Sequence, residues 1–197
     1  LRIDLFGLKE GGTIDSPLIA PLRPKVPVLK KGQKYLMEVV VRTMRISHPF
    51  SQGTVDSNEI WVDFQASSGG KVFARNGGLA NPDDTGEVDR WSHFINVFML
   101  DRDGNRINRR NPQDIFVPLY NHQIPPGAGQ IVHFDLTLPD NVREPITVEV
   151  KLQYRKFDQE YMNFVAKSAE SRKQPIPGRM HEGRYVNELP ITTLAAD

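Results

Sequence analysis

The 197-residue chain contains no cysteine, which removes several kinds of chemistry at once. Disulfide bonds, thiolate metal sites and cysteine nucleophiles are all excluded. The charge is nearly balanced, with 25 lysines and arginines against 24 acidic residues, so we expect no broad nucleic-acid interface. No apolar run reaches the length of a membrane-spanning helix, and we therefore expect no direct membrane span.

Catalytic motifs are lacking as well. The sequence has neither the paired histidines of a zinc-protease helix nor the Gly-x-Ser-x-Gly turn of a serine hydrolase. Its glycine-rich turns do not lead into helical segments, so they do not predict a phosphate-binding loop. We therefore expect a protein that is not an enzyme.

What the sequence has instead is a strong period of two. Apolar and polar residues alternate in several segments, as they do in β-strands with one buried face. The clearest segments are residues 35–41, 59–64, 132–138 and 148–154. After the last of these, Arg155 falls on the face that we expect to be wet. Residues 94–100 are apolar at nearly every position, which predicts a central strand covered on both faces.

Turn residues separate these segments, and helical patterns are rare. With 15 glycines and 15 prolines, the composition suits many short strands joined by turns. We therefore predict an all-β fold, an antiparallel β-sandwich of immunoglobulin-like architecture. Recurring prolines predict an extended N-terminal arm, and helical spacing in residues 158–172 predicts one short amphipathic helix near the C-terminus.

The expected organisation is one sandwich domain with extensions at both ends. The arm occupies residues 1–30, the sandwich residues 31–165, and a linker and docking tail residues 166–197. Residues 171–184 are basic and rich in proline and glycine, which predicts a mobile linker, whereas residues 189–194 predict an extended piece that docks back. Because the first residue is leucine, we expect a fragment of a longer precursor, with any targeting signal upstream.

The loop between the first two predicted strands gives the best pointer to function. It reads SHPFSQGTVDSNEIW over residues 47–61 and contains a single histidine, His48. Flanking strands can hold an imidazole in a fixed direction, and imidazole is the commonest protein ligand for a metal. Arg42 and Arg45 are near in sequence and suit a carboxylate such as a haem propionate. The alternative is a loop histidine that caps a turn or hydrogen-bonds a backbone carbonyl.

Two other histidines are weaker candidates for a metal ligand. His93 enters the apolar segment 94–100, and His122 lies on a loop before two prolines and a glycine. For both, the alternative is an ordinary histidine whose ring nitrogens are satisfied within the fold. We assign no role to His133 or His181.

Two acidic segments could bind calcium through carboxylate oxygens. Residues 81–89 carry four carboxylates, and the alternative there is a solvated acidic loop. Residues 101–105 begin like a calcium-binding loop but lack its closing glutamate, so we predict a hairpin turn.

An ordered series of short motifs resembles a known family. The series consists of residues 39–45, His48-Pro49-Phe50, Gly53-Thr54, Asp56, Asn58-Glu59-Ile60-Trp61, Trp91-Ser92-His93-Phe94, residues 100–104, Ile124-Pro125-Pro126-Gly127 and residues 152–157. It is similar to the C-terminal β-domain of bacterial multihaem c-type cytochromes. Those proteins carry several Cys-x-x-Cys-His haem-attachment motifs in an N-terminal part, sometimes with tetratricopeptide repeats. The resemblance covers residues 30–165 and again residues 189–193.

The resemblance implies an exported electron-transfer protein, periplasmic or at the cell surface, whose β-domain packs against haems. It implies His48 as an axial ligand of a haem iron, with His93 and His122 as weaker choices. Because this chain has no Cys-x-x-Cys-His motif, haem c would be held covalently by a region or chain outside this sequence. The implied partners are that haem-bearing cytochrome region or subunit and other redox proteins.

A second hypothesis requires no haem. Trp61, Trp91 and the loop tyrosines could serve a cell-surface sandwich that binds proteins or glycans. This hypothesis predicts binding without any haem in the native particle, and a sandwich fold is compatible with either function.

Overall fold

The computed structural model describes residues 1–80 and 85–197. Within these residues the chain forms thirteen strands, one α-helix and a short 3₁₀ helix at Pro112–Asp114. The strands are β1 (Arg2–Glu10), β2 (Leu18–Ile19), β3 (Lys34–Arg42), β4 (Glu59–Ser68), β5 (Lys71–Asn76), β6 (His93–Phe94), β7 (Val97–Leu100), β8 (Val117–Asn121), β9 (Gly129–Thr137), β10 (Ile146–Arg155), β11 (Arg179–His181), β12 (Arg184–Val186) and β13 (Thr192–Ala196). The helix α1 spans Gln159–Ser171.

Two antiparallel sheets form the body of the fold. One has the strand order β2-β1-β3-β9, and the other has the order β13-β10-β4-β5 with β6 beside β4. The strands β7 and β8 form a separate two-stranded sheet, as do β11 and β12. The predicted all-β antiparallel sandwich is confirmed, while its immunoglobulin-like assignment stays a prediction.

The core lies between the two sheets and follows the predicted alternation. Met37, Val39 and Val41 of β3 are buried, and they face residues from the second sheet such as Val62 and Leu152. A direct contact between the sheets is made by Phe64 of β4 and Phe134 of β9, whose rings stack with centroids 4.8 Å apart. The period of two in the sequence therefore predicts the core-facing positions of these strands correctly.

The first ten residues correct the expected N-terminal arm. The arm was predicted over residues 1–30, but β1 pairs with β3 almost along its whole length, from Arg2 opposite Arg42 to Glu10 opposite Tyr35. The register shifts between Leu5 and Gly7, so the buried positions of β1 do not keep a simple period of two. This bulge hides the strand from a search for alternation.

The predicted central strand over residues 94–100 is wrong. The chain pairs with β4 at β6, continues with a bond from the Ile95 amide to the Ile60 carbonyl, and then leaves to pair with β8 as β7. Phe98, Met99 and Leu100 are only half-buried. The apolar run therefore reflects two successive partners rather than one strand covered on both faces.

The C-terminal part contains more regular structure than predicted. The short helix is confirmed as α1, whose first turn is capped by the Asp158 carboxylate accepting from the Tyr161 amide at 2.8 Å. Within the segment predicted as a linker, β11 and β12 form a hairpin, and Tyr185 of β12 packs with Met162 and Ala166 of α1 in a second, small core. The predicted docking tail is present as β13, which pairs with β10. The predicted boundary at residue 165 falls inside α1.

Among the described residues, no helix is long and apolar enough to cross a membrane.

The sandwich core predicts a clear difference between two leucine truncations. Leu152→Ala in β10 removes a side chain that is fully buried, and we expect the free energy of unfolding to fall by about 2–5 kcal/mol. Leu119→Ala in β8 removes a mostly exposed side chain and should change it by less than about 0.5 kcal/mol. Urea unfolding followed by circular dichroism measures both, and equal losses would contradict the assignment of the core.

Candidate functional site

The loop that carries His48 connects β3 to β4 and is anchored on its first half. The Thr43 amide donates to the Ala128 carbonyl at 3.0 Å, and the amide of the buried Phe50 donates to the Ile124 carbonyl at 2.8 Å. These bonds hold the loop against the segment between β8 and β9. His48 therefore projects from a supported loop, as the sequence predicted.

The second half of the loop is anchored to a different part of the fold. The Ser57 carbonyl accepts from the amide of Asp158 at 2.8 Å, and the Asp56 carboxylate accepts from the amide of Arg110 at 2.7 Å. Asp56 and Ser57 are both buried. The loop is thus tied to the start of α1 as well as to the sandwich.

The His48 side chain is exposed, and one of its ring nitrogens is held by the backbone. Nδ1 lies 2.9 Å from the carbonyl oxygen of Pro49. Because a carbonyl can only accept, this contact assigns the proton to Nδ1 and leaves the lone pair of Nε2 free, with no partner among the described residues. Metal-binding histidines commonly carry such a bond on the nitrogen that does not bind. The same contact fits the alternative of a loop histidine bonded to a carbonyl, so the role of His48 stays a prediction.

The two arginines predicted beside His48 have different surroundings. Arg42 is half-buried, and its Nη2 donates to the Asp4 carboxylate at 2.6 Å. Burial opposes ionisation of Asp4, but Arg42 and Arg2 together hold the pKa of that carboxyl below its usual value. Arg45 is exposed. Of the two arginines, Arg45 is the one open to an external carboxylate, because Arg42 already forms an ion pair with Asp4.

His93 and His122 are brought together by the fold. Their rings stack with centroids 5.1 Å apart, and Tyr120 stacks on the other side of His122 at 4.7 Å. Nδ1 of His122 lies 3.0 Å from the Phe94 carbonyl oxygen. Burial lowers the pKa of His93, with the neighbouring Gln130 side chain opposing the shift and His122 adding to it, although no hydrogen bond reaches His93 Nε2 among the described residues. Both side chains are half-buried, and they are less open to an external ligand than His48.

No group of three or more histidine, aspartate and glutamate side chains that could hold a metal ion occurs among the described residues. Of the acidic segment 81–89 that could bind calcium, residues 81–84 lie outside the described part of the chain. Glu87 forms an ion pair with Arg184 at 3.1 Å, and the Asp89 carboxylate accepts from the Trp91 amide at 3.0 Å. The predicted turn at residues 101–105 is confirmed by two amides that donate to the Asp101 carboxylate.

Among the residues that the structure describes, the most deeply buried charged group belongs to a residue that the sequence predicted on a wet face. Arg155 is 1% exposed, and its guanidinium donates to Oε2 of Glu59 through Nε at 2.9 Å and through Nη2 at 2.5 Å. Its Nη1 donates to the backbone carbonyls of Gly86 and Asn187 at 2.6 and 3.1 Å. All parts of the guanidinium are thus paired, as a buried charge requires.

A second ion pair lies beside the first. Nη2 of Arg106 donates to Asp158 Oδ2 at 2.8 Å, while the other Asp158 oxygen caps α1. Burial raises the pKa of Asp158, and Arg106 opposes the shift. Burial also raises the pKa of Glu59 to about 7, against the opposing guanidinium of Arg155. Two buried carboxyl groups with raised pKa values therefore share one end of the sandwich.

The sequence contains one feature that could have predicted this cluster, a pair of opposite charges on neighbouring strands. The alternation of apolar and polar residues in β10 concealed it. Glu59 and Arg155 are directly opposite in the antiparallel pairing of β4 and β10. Once that register is known, a cross-strand pair of opposite charge is expected. The segment around Asn187 covers this end of β10, and no local pattern in β10 could have predicted that cover.

Comparisons with known proteins add one distant structural likeness. No family model matches the chain, and no curated protein matches it in sequence. Among solved structures, the chain is similar to a penta-haem cytochrome c552 from Thermochromatium tepidum, with 14% identity and a TM-score of 0.47. The match covers 86% of this chain and 37% of that one. At this distance the likeness carries no argument about function.

The raised pKa of Glu59 predicts how stability depends on pH. Its usual value is 4.5 and its folded value about 7, so between these values the folded state holds a proton that the unfolded state has released. We therefore expect the free energy of unfolding to fall as the pH rises from 4.5 to 7, by up to about 3 kcal/mol. In Glu59→Gln, which cannot ionise, this part of the fall in unfolding free energy with pH should disappear.

The matched control is Glu149→Gln, a carboxylate on β10 that lies outside the buried cluster. It should keep the slope of the wild-type protein. Urea unfolding at several pH values measures all three proteins. A wild-type stability that rises steadily from pH 4.5 to 7 would contradict the raised pKa.

Proposed function

We propose that this chain is a non-catalytic β-domain of a multihaem cytochrome c assembly that transfers electrons in the periplasm or at the cell surface. In this role the domain packs against haems that a separate cytochrome region or subunit holds covalently. His48 donates its imidazole to one haem iron as an axial ligand. The observation that carries the proposal is the orientation of His48, which is exposed and has Nδ1 fixed by the Pro49 carbonyl.

The residues around His48 support an external haem rather than an internal one. The chain has no cysteine for covalent attachment, and the described residues contain no cluster of metal ligands. A single accessible imidazole is what a haem iron with one vacant axial position requires. Met44, which is 58% exposed, and the exposed Arg45 offer an apolar contact for a porphyrin edge and a cation for its propionates.

The ordered motif series, which includes His48-Pro49-Phe50 and resembles the β-domain of multihaem cytochromes, also supports this proposal. A β-domain packed over a haem excludes water from one side of the haem, and its neutral imidazole serves as one axial ligand of the iron. Both effects adjust the reduction potential of the iron. The chain would therefore tune a haem without carrying one.

A haem peptide with one histidine ligand and an open sixth position tests the role of His48 directly. Adding the full chain should convert the ferric iron from high spin to low spin, because an imidazole nitrogen fills the open position. The Soret band reports this change during a titration. In His48→Ala the apparent affinity should fall by at least about tenfold, the loss expected for removing one strong interaction.

His133→Ala is the matched control for this experiment. His133 lies on β9 and its ring contacts Glu38 at 3.3 Å, so it is a partly exposed histidine on another element. This variant should behave like the wild-type chain. An unchanged titration in His48→Ala, or no spectral change with the wild-type chain at millimolar concentration, would contradict the proposal.

Of the two tryptophans in the glycan-binding hypothesis, one is exposed and the other is buried. Trp61 is buried and donates its indole N–H to the Gly77 carbonyl at 2.8 Å, so the expectation that it forms part of a binding surface is wrong. Trp91 is 73% exposed and lines an open groove of about 810 Å³ that also contains Phe73 and Asp135. Exposed aromatic rings beside polar groups suit a sugar face.

If this second function holds, soluble oligosaccharides should bind to the chain saturably and Trp91→Ala should abolish the binding. Calorimetric titration with a panel of such sugars measures it. The absence of binding across the panel would rule the second function out.

A further inference from the structure

The strand β9 forms a long open edge of the first sheet. It pairs with β3 on one side, and no strand among the described residues pairs with its other side. The other outer strands of the two sheets, β2, β5, β6 and β13, have two to six residues, whereas β9 has nine. The sequence of β9 contains neither lysine nor proline, the residues that commonly protect an edge from pairing with another chain.

The backbone groups on the open side of β9 belong to its odd-numbered residues. The register between β9 and β3 is unbroken, and just beyond its end the Leu138 amide donates to the Gln33 carbonyl at 3.0 Å. In an antiparallel pair, residues bonded to the neighbouring strand alternate with residues whose amides and carbonyls point away from it. The even-numbered residues therefore bond to β3, while Ile131, His133 and Asp135 direct their backbone groups to the open side.

The residues that carry these outward groups are exposed. All five odd-numbered residues of β9 lie at the surface, and Ile131 is 55% exposed. No hydrogen bond from the residues that the structure describes reaches the amides or carbonyls of residues 131, 133 and 135. A row of free backbone groups on an exposed strand is a template for the addition of another strand.

An open groove beside this edge provides room for a second strand. Its volume is about 810 Å³, and its lining includes Ile131, His133 and Asp135 of β9 together with Trp91. Trp91 is 73% exposed, and Ile131 is the largest apolar side chain on the outward positions of β9. A partner strand in the groove would remove apolar surface from water, which favours association.

The side chains of this edge complement one another when two copies pair antiparallel. With Phe134 of one copy opposite Phe134 of the other, His133 of each copy lies opposite Asp135 of the other, and Ile131 lies opposite Thr137. Pairs of opposite charge at such positions stabilise a sheet. A shift of two residues in one direction would oppose His133 to itself, and in the other direction Asp135 to itself. The side chains therefore favour one register.

His133 can make this contact without losing the one that it has. Its Nε2 lies 3.3 Å from the Glu38 carboxylate, and Nδ1 makes no hydrogen bond with the described residues. A protonated imidazole donates from both nitrogens. One nitrogen can consequently serve Glu38 while the other serves Asp135 of a second copy.

We propose that β9 pairs antiparallel with β9 of a second copy of this chain. The pairing joins the first sheets of two sandwiches into one continuous sheet, and its two-fold axis repeats the contact between His133 and Asp135. His48 takes no part in it, so the dimer does not depend on the proposed haem contact. Because a partner strand would lie in the groove that contains Trp91, pairing and sugar binding there exclude each other.

Sedimentation equilibrium of the full chain measures the pairing. The experiment is run at about pH 6, where an ordinary imidazole is largely protonated. We expect a monomer–dimer equilibrium with a dissociation constant below about 1 mM. In hydrogen exchange followed by NMR, the amides of Ile131, His133 and Asp135 should become protected as the dimer forms. The amides of the even-numbered residues should already be protected in the monomer.

Two variants test the edge and the register. Ile131→Pro removes an outward amide while leaving the bonds to β3 in place, and the dissociation constant should rise by at least about tenfold. Asp135→Lys should raise it by a similar factor of about ten, because it places a positive charge opposite His133 in both copies. The matched control is Glu149→Lys, which makes the same change in charge on the inner strand β10 and should keep the wild-type constant.

A wild-type chain that stays monomeric at about 1 mM would overturn the proposal. So would a dimer whose dissociation constant is the same in Ile131→Pro and Asp135→Lys as in the wild-type chain, because such a dimer uses another surface. If neither variant folds, hydrogen exchange of the wild-type chain decides the question. A dimer in which the amides of Ile131, His133 and Asp135 remain unprotected would contradict pairing through β9.

Discussion

The buried pair of Glu59 and Arg155 joins parts of this molecule that lie far apart in the sequence. It closes the antiparallel pairing of β4 and β10 at one end of the sandwich. The same guanidinium also bonds the carbonyls of Gly86 and Asn187, so that the loop before β6 and the chain after β12 meet at one charge. Removing one partner would leave an uncompensated buried charge, which typically destabilises a protein by about 3–5 kcal/mol.

This pair also determines where the His48 loop ends. Residues 54–58 form a compact turn directly before Glu59, with the Asn58 amide donating to the Thr54 carbonyl at 2.9 Å. Next to it, Asp158 caps α1, binds Arg106 and donates its own amide to Ser57. A rigid end of the loop reduces the freedom of His48, and a ligand held in one direction loses less entropy when it binds. Packing at the buried end thus bears on the role proposed for His48 at the exposed end.

The sandwich itself was predictable because its strands alternate regularly. In β3, β9 and β10 the alternating apolar residues supply core positions such as Val39, Phe134 and Leu152. The helix α1 lies within the segment whose helical spacing predicts it. Prediction failed where the physical cause was not local. The bulge in β1 interrupts the alternation of buried and exposed residues. The apolar run at residues 94–100 pairs first with β4 and then with β8. Arg155 alternates like a surface residue and is covered by chain that lies some thirty residues later.

The candidate sites show the same division between local and distant information. A loop histidine between two strands could be found by reading the sequence, and the bond from its Nδ1 to the carbonyl of the neighbouring Pro49 is equally local. The contact between His93 and His122 depends on the path of β6 and on the segment after β8, so neither residue type nor spacing predicts it.

The central claim is that this chain works in contact with haem, and a visible absorption spectrum of the native particle that contains it tests this most directly. The particle should be purified without exogenous haem and measured oxidised and then reduced with dithionite. We expect a Soret band and sharp α and β bands on reduction, the pattern of low-spin c-type haem. A particle with this chain present and a flat visible spectrum in both states would contradict it.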